Sequence, residues 1–149
     1  MASVQSSDKI ASTQKIKLYD HDPNGTSATA IAWVDMSNYG VFGVMAFASA
    51  LAGNGVTAFA IQASAASNGA NPETIVSHAV GSAPDAVGDQ LWLECTAEQV
   101  AAVGAAAGKD LRYVSAVLTM HNAGDENVVA YVLSEPRFAS GGLTADVVA

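Results

Sequence analysis

Two apolar segments without charged residues, VFGVMAFAS (41–49) and VTAFAIQAS (56–64), flank the short sequence GNG at 53–55 and decide the fold class. No charged residue occurs between Asp35 and Glu73, so this region has to be tested as a membrane span. A span needs about 20 mostly apolar residues in succession, whereas Gly and Asn at the centre favour a tight hairpin turn. We therefore predict two strands joined by a hairpin, each apolar on both faces like a central strand covered on two sides.

Shorter segments on either side alternate between apolar and polar residues, as half-buried strands do. In KIKLYD (15–20), Ile16 and Leu18 alternate with two lysines and Tyr19. The other predicted strands are ATAIAWVDM (28–36), ETIVSHAV (73–80), LWLEC (91–95), RYVSAVLTMH (112–121) and NVVAYVLSE (127–135). Because turn residues separate these segments and no βαβ pattern appears, antiparallel pairing is expected.

A change from alternation to an alanine-rich sequence after Thr96 predicts a helix near residues 97–107. Thr96 and Gln99 have the spacing of a capping box, in which each side chain binds a free backbone amide at the helix start. Gly108 can end the helix in the left-handed conformation. Gly104 weakens a helix interior, so we expect one or two turns.

Together these elements predict one all-β domain, an antiparallel β-sandwich resembling a jelly roll, with about eight strands and one short helix. The domain extends over residues 14–139. The sequences at 1–13 and 140–149 predict flexible arms, because they are rich in small and polar residues and carry no strand pattern.

The charge balance narrows the classes of partner. The net charge is -8, and only six of the 149 residues are Lys or Arg. Because a nucleic-acid surface needs clustered cations, no nucleic-acid partner is predicted. The first 12 residues lack the apolar run of a signal peptide. Cys95 is the only cysteine, so no internal disulfide can form, which fits assembly in a reducing cytoplasm.

One loop has the pattern of a cation site. DHDPNG, from Asp20 to Gly25, matches the first half of an EF-hand loop, with Asp20, Asp22 and Asn24 at ligand positions. Position 12 of that motif is a Glu, whereas the residue here is Ile31. We therefore interpret the segment as a turn between strands. The three ligand positions remain the candidate metal ligands, and no cofactor is predicted.

The remaining reactive side chains form no recognisable catalytic centre. His21, His78 and His121 share no ligand spacing, and no GxSxG context marks a serine nucleophile. Cys95 lies on the apolar face of its predicted strand, so we interpret it as an inert core residue. Arg112 begins its strand and is expected to brace Asp110 or a neighbouring loop. The sequence therefore predicts a protein that is not an enzyme.

Five segments occur in a fixed order along residues 14–139: WVDMSNYG (33–40), FAIQASAASNGA (59–70), LWLECTAEQ (91–99), LRYVSAVLTM (111–120) and AYVLSEPRFA (130–139). Their order and spacing resemble those of a family of small structural proteins of tailed bacteriophages. The chain departs from the family in the proline-containing loop QASAASNGANPE (62–73) and in the alanine-rich helix. For that reason no contact residue is transferred, and the family has no catalytic residues to transfer.

The resemblance implies a head decoration or cement protein, which binds the outer surface of the capsid and stabilises contacts between major capsid protein subunits. The implied partners are the major capsid protein and further copies of this chain, as a dimer or trimer, without nucleic acid or membrane. The implied location is the capsid surface of the virion, after assembly in the host cytoplasm. The alternative is a tail or head-fibre module that binds a host-surface glycan, with Trp33 and Trp92 as candidate sugar-stacking residues. Because aromatic residues are few, we expect both tryptophans to pack in the core or at an interface.

Overall fold

The computed structural model describes residues 14–23, 25–52, 55–79 and 86–136. The elements are β1 (Gln14–His21), β2 (Thr29–Ala30), β3 (Val34–Asp35), β4 (Tyr39–Ala50), β5 (Val56–Ser64), β6 (Glu73–Ala79), β7 (Gln90–Thr96), α1 (Ala97–Ala107), β8 (Tyr113–Met120) and β9 (Glu126–Pro136). The arms predicted at 1–13 and 140–149 lie outside the described residues. In the part of the chain that is described, no helix is long and apolar enough to cross a membrane.

The strands form two antiparallel sheets in jelly-roll order. Sheet I has the order β1-β9-β4-β7, and sheet II has the order β2-β8-β5-β6, with β3 also paired to β8. If β2 and β3 are counted as one interrupted strand, the first strand pairs with the last, the second with the seventh, the third with the sixth and the fourth with the fifth. This nested pairing is that of a jelly roll. The predicted all-β sandwich with one short helix is therefore confirmed.

The core lies between the two sheets and consists of large apolar side chains from both. Phe42 of sheet I and Phe59, Ile61 and Leu118 of sheet II are each at most 1% exposed. Burial of one such side chain contributes about 1.5–3 kcal/mol to the free energy of unfolding. The ring of Phe42 meets that of Tyr131 edge to face, with centroids 4.9 Å apart. On β8, Leu118 and its alternate neighbours are buried and face this core.

The two apolar strands that decide the fold class do not form a hairpin. Strand β4 pairs with β7 and β9, whereas β5 pairs with β6 and β8. The connection that contains GNG therefore crosses from sheet I to sheet II. The predicted hairpin is wrong because turn residues indicate a reversal of the chain without indicating which strand becomes the neighbour. Gly55, at the end of this connection, has a positive φ of 68° and accepts a hydrogen bond from the N–H of His121.

The single strand predicted at 28–36 is divided into β2 and β3 by a side chain from the opposite sheet. The hydroxyl oxygen of Tyr131 accepts a hydrogen bond from the N–H of Ala116 in β8 (2.8 Å) and donates one to the carbonyl of Ala32 (3.1 Å). The hydroxyl thus occupies the position at which Ala32 would pair with β8. Burial raises the pKa of Tyr131 above its ordinary value, so the phenol stays protonated and can donate. The prediction of one continuous strand is wrong because this contact cannot be read from local alternation.

Helix α1 begins and ends as predicted, but it is longer than expected. Thr96 and Gln99 form the complete capping box, and Gly108 ends the helix in the left-handed conformation with φ of 67°. The helix has 11 residues, about three turns. Gly104 does not shorten it, because its Cα lies against the chain that leaves the helix. A Cβ on Gly104 would lie 2.6 Å from the carbonyl oxygen of Lys109.

Candidate functional site

Strand β1 carries its large aliphatic side chains away from the core. Ile16 is 40% exposed and Leu18 is 57% exposed, although alternation predicts a half-buried strand. The inward positions belong to the lysines and to Tyr19, whose ring lies 4.8 Å from that of Tyr131 between centroids. The aromatic ring of Tyr19 therefore closes this end of the core, which leaves Ile16 and Leu18 on the outside of sheet I.

The outward positions of the other three strands of sheet I are also apolar. We call the set the outer apolar face; it consists of Ile16, Leu18, Val41, Gly43, Met45, Phe47, Trp92, Val128, Ala130 and Val132. One row crosses all four strands, because Leu18 pairs with Ala130, Ala130 with Met45, and Met45 with Trp92. No other layer of the described chain packs on this face. The expectation that β4 is covered on both sides is therefore wrong.

Trp92 is held on this face by a glycine. Its side chain is 48% exposed, and a Cβ on Gly43 would lie only 3.0 Å from two atoms of its ring. The indole therefore rests on the backbone of β4 at a point where any larger residue would displace it. Trp92 is neither a core residue nor a freely rotating surface residue: it is a fixed aromatic ring on an apolar surface.

The charged positions on the rim of the outer apolar face are acidic. Asp20 lies at the end of β1, Glu94 follows Trp92 on β7, and Glu126 begins β9. The two cations of β1, Lys15 and Lys17, belong to the other side of the strand. An apolar centre with a charged rim is the usual anatomy of a protein–protein interface.

The outward side of sheet II has a different chemistry. Small and polar side chains occupy its outward positions, among them Ala58, Ala60, Gln62, Ser77 and Thr119. No large aliphatic or aromatic row like that of sheet I crosses the described strands of sheet II on this side. The outer apolar face is therefore a property of one side of the sandwich.

The free edge of β1 is protected by its lysines. Lys15 and Lys17 occupy inward-facing positions on this edge strand, and they line a cleft of about 240 Å³ together with Val34, Asp35 and Leu133. The ammonium group of Lys17 lies 5.2 Å from the ring centroid of Tyr19. Inward-pointing charges on an edge strand oppose the addition of a further strand, because that strand would bury them.

Cys95 is a core residue, as predicted. Its side chain is 1% exposed on the inward side of β7. Burial, assisted by the nearby Glu94 carboxylate, raises the pKa of the Cys95 thiol to about 12. At neutral pH the thiol is therefore protonated, and a protonated thiol is a poor nucleophile.

The described part of the candidate cation loop forms no cluster of metal ligands. Asp20 and His21 end β1, Asp22 follows them, and Asn24 lies outside the described residues. His21 points inward and is 6% exposed, whereas Asp20 and Asp22 are exposed. Among the described residues no three His, Cys, Asp or Glu side chains are grouped as metal ligands would be. His78 lies on β6 and His121 follows β8, so the three histidines belong to separate strands.

Ion pairs fix the two loops at one end of sheet II. Arg112 donates a hydrogen bond to Asp35 across 2.5 Å, so its partner is Asp35 rather than Asp110. Burial alone would raise the pKa of Asp35, but hydrogen bonds from Arg112 and Ser37 outweigh it and hold the pKa below its ordinary value. Lys109 contacts the Glu73 carboxylate and donates a hydrogen bond to the carbonyl of Asn71. These contacts hold the loops at this end of sheet II in place.

Trp33 anchors the same end of the molecule. A Cβ on Gly69 would lie 2.0 Å from the indole of Trp33, so this ring packs directly on the loop between β5 and β6. Gly69 has a positive φ of 74°, which only glycine adopts without strain. Of the two tryptophans, Trp33 is therefore a packing residue, and Trp92 is the exposed one.

Comparisons with known proteins identify no family for this chain. No protein-family model matches the chain, and no curated protein matches it. One similar chain belongs to a solved structure described as "Bacillus endospore appendages form a novel family of disulfide-linked pili". It has 9% sequence identity and a TM-score of 0.42, over 81% of this chain and 86% of that chain. A likeness of this degree carries no argument about fold or function.

Proposed function

We propose that the protein is a structural component of a tailed-bacteriophage virion, a decoration or cement protein that binds the outside of the head and stabilises contacts between major capsid protein subunits. The observation that carries this proposal is the outer apolar face. A protein with such a face exposed is built to be covered by other protein. The five sequence elements that resemble those of phage structural proteins are the reason for proposing a phage virion as the assembly.

The size of the face supports an assembly role. Four strands about 4.8 Å apart, paired over about seven residues of 3.3 Å each, give a footprint of about 19 by 23 Å. Contiguous apolar patches on monomeric proteins rarely exceed a few hundred Å², and this footprint alone is about 440 Å² before the relief of the side chains is counted. The largest apolar patch of a monomer is commonly about 300–600 Å² and is often functional, so the extent of this face supports the proposal of protein association.

The fold is compatible with the proposal by analogy. Jelly rolls occur among viral capsid and lectin domains, although a fold by itself does not assign a function. The mechanism would be mechanical: apolar area buried at about 25 cal/mol per Å² stabilises each contact, and many copies on one shell act together through avidity. No chemical step is required.

The test uses phage heads. If the gene lies beside a major capsid protein gene, expanded heads of that phage that lack the protein should bind it in a saturable number of copies. Calorimetry should then show a higher melting temperature for decorated heads than for bare ones. A matched sample of heads with an unrelated acidic β-sandwich protein is the control. Heads that bind no protein, or that melt at an unchanged temperature when saturated, contradict the proposal.

A second candidate function is favoured by the surroundings of Trp92. Gln90 and Glu94 flank it on the outward side of β7, and both are exposed. An exposed indole between an amide and a carboxylate can stack on a sugar ring and hydrogen-bond its hydroxyl groups. A tail or head-fibre module that binds a host glycan would use this combination. A reproducible glycan-array signal that Trp92→Ala abolishes would favour this candidate over the cement protein.

A further inference from the structure

We propose that the outer apolar face is covered by a second copy of this chain, packed face to face about a two-fold axis that runs parallel to the strands between β4 and β9. One partner in the proposed function is thus a second copy of this chain. The proposal rests on that function only for the role that the dimer would have on a capsid. The dimer itself follows from the residues of the face.

The arrangement of the four strands makes the face self-complementary under this axis. Sheet I has the order β1-β9-β4-β7, so the axis passes through the middle of the sheet. Rotation about it places β4 over β9 of the second copy and β1 over β7 of the second copy. Two right-twisted sheets pack in this aligned manner with their strands at about 30° to each other.

In two rows of the face, the axis superposes side chains of different size. Met45 comes to lie over Ala130 of the second copy, because the two residues are register partners within one sheet. By the same relation Gly43 lies over Val132 of the second copy. In these two rows a large side chain of one strand meets a small residue of the other, as interdigitation without voids requires, whereas Phe47 lies over Val128 of the second copy in the neighbouring row. At the margin, Trp92 lies over Leu18 of the second copy, which pairs the two most exposed large side chains of the row.

The rim charges do not oppose this packing. Asp20 comes opposite Gln90 of the second copy, since both lie in the row of Phe47 and Val128. The Gln90 side-chain amide can donate a hydrogen bond to that carboxylate. Glu94 comes opposite Ile16 at the outer margin, where its carboxylate remains in water. The axis therefore brings no two acidic side chains of the strands directly together, despite the net charge of -8.

The area of the face places the expected dimer at the small end of the range of protein interfaces. A standard interface buries about 800 Å² on each partner. The footprint of about 440 Å² is a flat projection. The exposed side chains of Ile16, Leu18 and Trp92 protrude from it and increase the accessible area of the face. An aromatic ring fixed in place, such as Trp92, is the type of residue that contributes most at protein interfaces.

The first experiment is sedimentation equilibrium of the full chain between about 1 and 100 μM. The expected result is a dimer for the wild type and a dimer dissociation constant at least tenfold higher for Leu18→Glu, since the loss of the Leu18–Trp92 contact, which the two-fold axis repeats, costs about 1.4 kcal/mol or more. Ser77→Glu, which places the same side chain on the outward side of sheet II, is the control and should leave the dimer unchanged. A wild-type monomer throughout, or equal weakening by both variants, overturns the proposal.

The second experiment tests the axis. Asp20 and Gln90 of one copy are separated by three strand spacings, about 14 Å, which is too far for a disulfide within the chain. Because facing sheets lie about 10 Å apart, a direct disulfide between the copies is excluded as well. The double variant Asp20→Cys/Gln90→Cys should instead be joined into dimers, in high yield, by a bis-methanethiosulfonate reagent that spans about 5 Å between the two sulfur atoms. Asp20→Cys alone is the control and should give little cross-linked product. A double variant that sediments as a dimer without cross-linking overturns the two-fold arrangement.

The two proposals fail separately. A wild-type dimer that does not bind heads leaves this inference intact and contradicts the decoration function. A monomer that binds heads and raises their melting temperature overturns the dimer and supports the decoration function, with the outer apolar face then on the capsid itself.

Discussion

The hydroxyl oxygen of Tyr131 lies 2.8 Å from the backbone nitrogen of Ala116 and joins the two sheets of the sandwich. Tyr131 belongs to sheet I, whereas Ala116 is a residue of sheet II at the interruption between β2 and β3. At this interruption Ile31 still donates a hydrogen bond to the carbonyl of Ala116. The Ala116 N–H and both backbone groups of Ala32 bond to the phenol instead, so the phenol replaces the missing section of the β ladder. Removal of the hydroxyl would leave the Ala116 N–H buried without an acceptor.

Tyr131→Phe is therefore expected to lower the free energy of unfolding by about 1–3 kcal/mol, the cost of leaving buried polar groups without a partner. Urea denaturation followed by fluorescence measures this change in the free energy of unfolding. Tyr19→Phe is the matched control, because the structure records no hydrogen bond to the Tyr19 hydroxyl among the described residues, and it should cost clearly less. Equal losses of stability in the two variants would show that the hydrogen bonds of the Tyr131 hydroxyl do not stabilise the fold.

Gly104→Ala is expected to destabilise the protein, although alanine normally favours a helix. A Cβ at this position would lie 2.6 Å from the carbonyl oxygen of Lys109, and overpacking of this kind costs about 1–3 kcal/mol. The control is Ala102→Gly on the exposed side of α1, which should also destabilise, by about 1 kcal/mol. Thermal unfolding of both variants measures these changes in stability. A stabilised Gly104→Ala variant would contradict the close contact between Gly104 and Lys109.

The stability of the protein is expected to fall as the pH decreases below about 6.5 because of His21. Burial holds the pKa of His21 below its ordinary value, against the smaller opposing effect of Asp22 and Asp20. The unfolded chain then binds the proton more readily than the folded chain. The contribution of the neutral imidazole is complete above the unfolded-state pKa and is lost progressively as the pH falls toward the folded-state pKa.

Urea denaturation at pH 7.5, 6.5 and 5.5 (values spanning the ordinary histidine pKa) measures this dependence. The variant His21→Gln should flatten the profile, whereas His78→Gln, which changes an exposed histidine of β6, should retain it. If His21→Gln keeps the wild-type slope, another group is responsible.

Cys95 is expected to react with thiol reagents only when the protein unfolds. Its pKa of about 12 leaves almost no thiolate at pH 8, and the side chain is 1% exposed. The rate of labelling by 5,5′-dithiobis(2-nitrobenzoic acid) at pH 8 should therefore follow urea-induced opening. Fast labelling of the native protein, at the rate of a free thiol, would show that the β7 edge is open in solution.

Much of the fold could be predicted from the sequence, because its determinants are local. The capping box at Thr96 and Gln99 and the left-handed Gly108 depend on neighbours a few residues away. The same is true of the alternation that places Cys95 inward. The jelly-roll class follows from the number and spacing of such strands. The division of the strand at 28–36 could not be predicted, because its cause, Tyr131, is about 100 residues away in the sequence.

The candidate site was missed for a related reason. The two-sided apolar pattern of β4, with Met45 and Phe47 on one side, is typical of a strand covered on both sides. The sequence contains no sign that the described part of the chain lacks the second cover. The alternation in β1 likewise identifies two faces without indicating which one meets the core. Two lysines beside Ile16 and Leu18 suggest the reverse of what the structure shows. The aromatic ring of Tyr19 decides the orientation.

The lysines at the free edge of β1 also limit how large an assembly of this chain can grow. Sheets that associate through their edges expose a new edge with every added subunit, so growth continues into fibres. Lys15 and Lys17 oppose that route, whereas a face that pairs with itself about a two-fold axis is consumed in the first encounter. In the proposed two-fold dimer the apolar face is used up and the lysines protect the remaining edge, so the expected assembly is a closed unit of fixed stoichiometry instead of a filament.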